Sequence, residues 1–114
     1  MQGPIPEQDF SGDTEVMTLG ALRLDPAGFS VTVGGGDLSL TLAEFLLLRE
    51  LARHPYQVLG RERLAAALRE HASDPTSSPR SVDTHISRLR RKLRSAGCDC
   101  IKTMRFVGYR FVPA

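Results

Sequence analysis

The stretch SPRSVDTHISRLRRKLRSAG, Ser78 to Gly97, decides the fold. Ser78 is a helix-capping residue, and Pro79 follows at the first helical position, where its missing N–H costs nothing. Gly97 ends the helix. At about 100° per residue, Val82, Ile86, Leu89 and Leu93 fall in one narrow stripe, which predicts a core seam. The opposite side carries Arg80, Ser81, Thr84, Ser87, Arg88, Arg91 and Ser95. Six basic side chains lie between Arg80 and Arg94, with Asp83 the only acid among them. An ordinary solvated helix face mixes signs, with Glu set four residues before Lys or Arg. Unrelieved cations interleaved with small hydroxyl residues suit a nucleic-acid groove. Arginine can bond a guanine edge or hold a phosphate, and short neighbours let the helix come close. Arg90, Lys92 and Arg94 flank the seam and face phosphates or solvent. A membrane surface fits poorly, because the apolar stripe lacks large aromatics and is needed for the core.

The whole chain has 114 residues and a net charge of +2, which conceals two unlike halves. Residues 1–60 carry three basic and eight acidic side chains, whereas residues 61–114 carry twelve basic and five acidic. The basic half points to a polyanionic partner. The length predicts one domain. No run of about 18 apolar residues occurs, and the start, MQGPIPEQDF, lacks the basic and apolar regions of a signal peptide. The expected location is the cytoplasm. Cys98 and Cys100, one residue apart, would close almost no loop as a disulfide, which suits reduced thiols.

Outward from the decisive helix, the chain divides clearly. Residues 1–15 are polar and acidic and read as a disordered tail or linker remnant, leaving a domain over 16–114. From Val16 the pattern alternates, with Phe29, Val31 and Val33 on one face, a turn at Gly34 to Gly36, and LSL beyond it. This predicts an antiparallel sheet of three or four short strands. Thr41-Leu42-Ala43-Glu44 is a capping box opening a helix with Phe45, Leu47, Leu48, Leu51 and Ala52 inward, closed before Pro55. A second helix is predicted from about Gly60 to Glu70, with Leu64, Ala67 and Leu68 inward. His71 to Pro79 is a loop by composition. IKTMRFVGYRFV, Ile101 to Val112, reads as a hairpin with Gly108 near its bend. Strands, three helices and a terminal hairpin, with the third helix basic, form the layout of a winged helix-turn-helix, an α+β fold.

RSVDTHISRLRRKL followed by IKTMRFVGYRFV resembles the OmpR/PhoB-type winged-helix effector domain of bacterial two-component response regulators. LTLAEFLLLRELARHP followed by VLGRERL resembles the first two helices of that family. The resemblance covers about residues 17–113, with three motifs in the right order and spacing. It implies a four-stranded N-terminal sheet, three helices and a C-terminal hairpin wing. It also implies binding to double-stranded promoter DNA as head-to-tail dimers on direct repeats, by a domain that is monomeric when free. The implied recognition helix is Arg80 to Leu93. Arg88 falls at the position that reads base edges in the major groove. Arg80, Ser81, Thr84, His85 and Arg91 fall near phosphates or bases, and Ser87 shares their face. Arg105 of the wing falls where an arginine reaches the minor groove, and Thr103 where a hydroxyl contacts the backbone. The loop 70–79 matches a segment that touches RNA polymerase in some members.

This sequence departs from the family pattern at four places. Phe106 stands where glycine is usual. Arg69 replaces a frequent tryptophan and could bond a phosphate. The loop before the third helix is about two residues longer, and Gly60 replaces a better capping serine. Nothing in the chain supplies a receiver's acidic phosphoacceptor pocket, so it reads either as an effector domain cut from a longer regulator, the favoured reading, or as the same module carried by a parent of different architecture.

Other motifs are weaker. Cys98-Asp99-Cys100 has no second ligand pair for structural zinc. His54, His71 and His85 lie on separate elements. His85 is placed either to bond a phosphate or to pack on the second helix. Tyr109 and Phe111 share a face of the last strand and suit the core, with Arg110 opposite. No nucleophile–base pair, phosphate loop or paired carboxylate frame is present, so neither an enzyme nor a cofactor is expected. The rival to DNA recognition is a protein-interaction or non-specific basic module of a larger regulator.

Overall fold

Alternation and glycine placement build the first layer. In the computed structural model, which describes residues 15–71 and 77–113, four strands form an antiparallel meander. They are β1 (Met17–Leu19), β2 (Leu22–Asp25), β3 (Ser30–Val33) and β4 (Gly36–Leu38), in the order β1-β2-β3-β4. Residues 1–14 of the expected tail lie outside the described residues. Leu22, Leu24 and Val31 turn one face of the sheet into the core. Gly34 and Gly35 hold φ of 59° and 87°, left-handed values that glycine adopts without a Cβ clash, and so reverse the chain into β4. The last strand starts at Gly36 and ends at Leu38, earlier than the LSL reading. Phe29 precedes β3 rather than sharing its inner face, and its ring meets Phe45 edge-on at 5.3 Å.

Helix α1 (Leu42–Ala52) begins at the expected capping box. The Thr41 Oγ1 accepts from the Glu44 N–H at 3.1 Å, and Glu44 Oε1 accepts from the Thr41 N–H at 2.9 Å. Phe45, Leu46, Leu47 and Leu48 are all buried, so α1 has no solvent stripe over that stretch and is the central element. Helices α2 (Arg61–His71) and α3 (Pro79–Ser95) pack on α1 and on each other. One continuous cluster joins Leu22 and Leu24 of the first sheet, Leu48 and Leu51 of α1, Leu64 of α2, and all four seam residues of α3.

The chain end differs from the hairpin expectation in one way. Strands β6 (Ile101–Met104) and β7 (Gly108–Phe111) are joined by a third, β5 (Val58–Gly60), in the order β5-β7-β6. Gly60 therefore closes a strand, and α2 starts one residue later. The hairpin turn lies at Arg105–Phe106, closed by the Val107 N–H donating to the Met104 carbonyl at 2.9 Å. Gly108 lies next to the bend, as expected, and opens β7 in the ladder opposite Gly60 on one side and Met104 on the other. Cys98 and Cys100 are buried free thiols at the helix–strand junction, with sulfurs 3.2 Å apart.

Candidate nucleic-acid interface

Two local devices set the rotation of α3. Ser78 caps it: Ser78 Oγ accepts from the Ser81 N–H at 3.3 Å, and Ser81 Oγ accepts from the Ser78 N–H at 2.9 Å. The seam of Val82, Ile86, Leu89 and Leu93 is at most 1% exposed. Burying those four leaves one outward choice. Arg80, Thr84, Ser87, Arg88 and Arg91 are exposed, and at about 100° per residue they span roughly 100° of circumference opposite the seam.

The six cations of α3 separate into two groups. Three are tied to neighbours within the chain, at positions that are half-buried (Arg90, Lys92) or exposed (Arg94). Arg90 Nη2 donates to Thr103 Oγ1 at 2.7 Å and lies 5.8 Å from the Tyr109 ring centroid. Lys92 Nζ donates to Glu44 Oε1 at 2.7 Å, and Arg94 Nε donates to Asp99 at 3.0 Å. The flanking positions are therefore internal clasps, not free cations. Arg80, Arg88 and Arg91 make no hydrogen bond or ion pair with any other described residue. Guanidinium groups on one helix face, interleaved with Thr84 and Ser87 and paired with no described acid, form an anion-seeking surface.

Asp83, the lone acid, locks this helix to the wing. Arg61 donates to it from Nε at 3.1 Å and from Nη2 at 2.5 Å, a bidentate pair, and the Tyr109 hydroxyl donates at 2.8 Å. Burial alone would raise the Asp83 carboxyl, but the hydrogen bonds from Arg61 and Tyr109 outweigh it and hold the group below its ordinary range. Burial and then the same hydrogen bond push the Tyr109 hydroxyl up to about 12. At neutral pH the carboxylate is thus the acceptor and the phenol the donor. A groove of about 500 Å³ runs between α3 and β7, bounded by Ser87, Arg90, Arg91 and Tyr109. It shares Asp83 and Tyr109 with a smaller groove that reaches Arg105 and Phe106 at the wing tip.

The other expected contact residues lie as follows. Ser81 is half-buried, and its Oγ also donates to the Ser78 carbonyl at 2.8 Å, so its hydroxyl is engaged in the cap. His85 is half-buried and borders a groove with Thr41, Glu44, Arg88 and Lys92, facing the start of α1 rather than α2. Arg69 is engaged internally, donating to the Ser77 carbonyl at 2.8 Å and to Glu62. Thr103 is exposed at the wing and accepts from Arg90. Arg105 is exposed, with its guanidinium 5.4 Å from the Phe106 ring centroid. Residues 72–76 of the loop expected to meet RNA polymerase lie outside the described residues. Sequence reasoning missed the Arg61–Asp83–Tyr109 clasp. Its one available signal was an isolated acid among arginines, which has to find a partner.

Among the described residues, no three His, Cys, Asp or Glu side chains gather as a metal site, and no helix is long and apolar enough to cross a membrane. A family model described as "Transcriptional regulatory protein, C terminal" matches residues 35–111. The transcriptional regulatory protein RstA of Escherichia coli is 41% identical over 101 residues, covering 87% of this chain and 41% of RstA. AfsQ1 of Streptomyces coelicolor is 39% identical over 102 residues, covering 88% of this chain and 44% of AfsQ1. The chain thus spans less than half the length of these curated relatives. Among solved structures, the Klebsiella pneumoniae RstA DNA-binding domain in complex with the RstA box superposes with a TM-score of 0.73 at 39% identity, covering 88% of this chain and 99% of that one. The DNA-binding domain of E. coli CpxR gives 0.71 at 38% identity, covering 88% and 98%. The match over most of the chain, the sheet–three-helix–wing order and the outward basic face of α3 agree: this chain belongs to the transcriptional-regulator C-terminal family, the OmpR/PhoB-type winged-helix effector domains.

Proposed function

We propose that this chain binds double-stranded DNA sequence-specifically in bacterial transcription regulation, with α3 in the major groove and the β6–β7 wing at the minor groove. The observation that carries this is the sorting of cations on α3. Arg90, Lys92 and Arg94 have internal acceptors, whereas Arg80, Arg88 and Arg91 project from the face opposite the seam with none among the described residues. In this reading Arg88 reads base edges. Arg80, Thr84, Ser87 and Arg91 hold phosphates or bases, and Arg105 enters the minor groove. The relative solved in complex with its DNA box supports it.

The same reading has the free domain monomeric and two copies head-to-tail on direct repeats. The loop 70–79 is the candidate contact to RNA polymerase, and the cytoplasm is the site of action. Ser81, Arg69 and Thr103 are engaged within the chain, so a contact from any of them to DNA is a second bond, whereas half-buried His85 borders a groove beside Arg88 and is a candidate phosphate contact. The test is selection from a randomised duplex pool followed by sequencing of the bound fraction. The expected result is two similar half-sites repeated head-to-tail about one helical turn apart. Salt-sensitive retention of all duplexes without enrichment would replace this reading with that of a non-specific basic module. Failure to retain DNA would favour a protein-interaction module.

A further inference from the structure

Phe106 is 94% exposed at the tip of the wing, and Val107 beside it is 58% exposed. Phe106 holds a φ of 68°, a left-handed backbone that is free for glycine and costly for a bulky side chain. The ring fills no core and meets no aromatic partner among the described residues; the Arg105 guanidinium lies over its face. Among the described residues, this exposed contact is all that offsets an apolar ring kept in water on a backbone that disfavours it. The ring borders the small groove that continues past Asp83 and Tyr109 to the outward arginines of α3. Its nearest cation is Arg105 beside it in the turn, and Arg61 lines the same groove, paired there with Asp83.

Resting on the DNA reading above, we propose that Phe106 is a further DNA-binding residue. Its ring packs against the apolar sugar wall of the minor groove while Arg105 reaches the groove itself. A duplex is the partner that fits this tip, because it presents anionic edges to Arg105 and C–H surface to the ring within a few ångströms. A cationic partner is repelled, and a purely apolar one leaves Arg105 unpaired.

Apolar and ionic contacts separate by their salt response, because only phosphate neutralisation releases counterions. The experiment measures affinity of the whole chain for its selected duplex across a salt series, together with thermal melting. Phe106→Gly should melt at the parental temperature or above it and bind about tenfold more weakly. Its slope of log affinity on log salt should stay parental. Phe106→Leu should recover most of the affinity. Arg105→Ala should instead make the slope shallower by about one unit. Parental affinity in Phe106→Gly overturns the proposal. So does a loss accompanied by a shallower slope, which would make the ring only a prop for Arg105. If the parent itself binds no duplex, the DNA reading falls and takes this proposal with it. Parental binding beside an indifferent Phe106→Gly overturns this proposal alone.

Discussion

Replacing Gly108 with alanine tests how the wing is joined to the helical core. Gly108 does not hold a positive φ, so its backbone conformation is open to alanine and the outcome rests on space alone. The added Cβ would lie 2.0 Å from the Leu59 carbonyl oxygen, 2.8 Å from its carbon and 3.0 Å from Gly60 Cα. Carbon and oxygen ordinarily approach to about 3.3 Å, so the carbonyl must retreat by about 1.3 Å. The obstacle is backbone on a paired strand and cannot swing aside as a side-chain end would. Relief requires β5 to part from β7 and draws Leu59, 1% exposed, from the core. Overpacking of this kind costs ~1–3 kcal/mol and each ladder hydrogen bond lost adds ~1 kcal/mol. A total near 3 kcal/mol lowers Tm by about 12–24 °C in a domain of this size. Gly97→Ala is the control. Gly97 has a φ of 87° and nothing within 4 Å of the added carbon, so only the left-handed backbone is penalised, by ~1 kcal/mol. The assay is thermal melting followed by far-ultraviolet circular dichroism under reducing conditions. A Gly108→Ala protein melting within about 3 °C of the parent, or above Gly97→Ala, would refute the close approach of the two strands.

Two further outcomes follow from the same contacts. On the selected duplex, Arg88→Ala should cost ~1–3 kcal/mol and relax preference at one position, whereas Arg91→Ala should weaken selected and random duplexes alike. Equal losses on both DNAs for Arg88→Ala would remove its base-reading role. Lys92→Met strands the Glu44 carboxylate, 1% exposed, without its cation and should cost about 2 kcal/mol at pH 7, since Lys92 itself is partly solvated. Burial raises the Glu44 carboxyl, but the bonds from Lys92 and Thr41 outweigh it and lower the group below its ordinary range. A lowered folded value gives stability that is full above the unfolded range, near ~4.3, and is lost as pH falls through the folded value. The gap between parent and Lys92→Met in urea unfolding should therefore narrow from pH 6 to pH 3. A gap independent of pH would contradict the pairing.

Much of the fold was legible because its signals are local. The Thr41–Glu44 and Ser78 caps, the four-three-four seam of α3 and the Gly34–Gly35 turn each involve residues within a few positions of one another. The outward arginines were legible for the same reason, since a buried stripe fixes the opposite face of its own helix. What escaped is non-local. Val58–Gly60 is too short for alternation to show, and it becomes a strand only because β7 offers it an edge. Gly108, beside the turn, is needed as glycine because β5 comes close, and that contact too is non-local.

Caps and periodicity act over one or two turns, so the order of residues is enough to set which segments form helices, where they begin, and which face of α3 is apolar. Which cations remain available depends on how those elements pack together. Periodicity places Arg90, Lys92 and Arg94 beside the seam and Arg80, Arg88 and Arg91 opposite it, but it shows no partner for either set. The first three lose their freedom to Thr103, Glu44 and Asp99, acceptors 13, 48 and 5 residues away. A charge is free or spent according to what packs beside it, and that is set by how the elements assemble, not by their order in the chain.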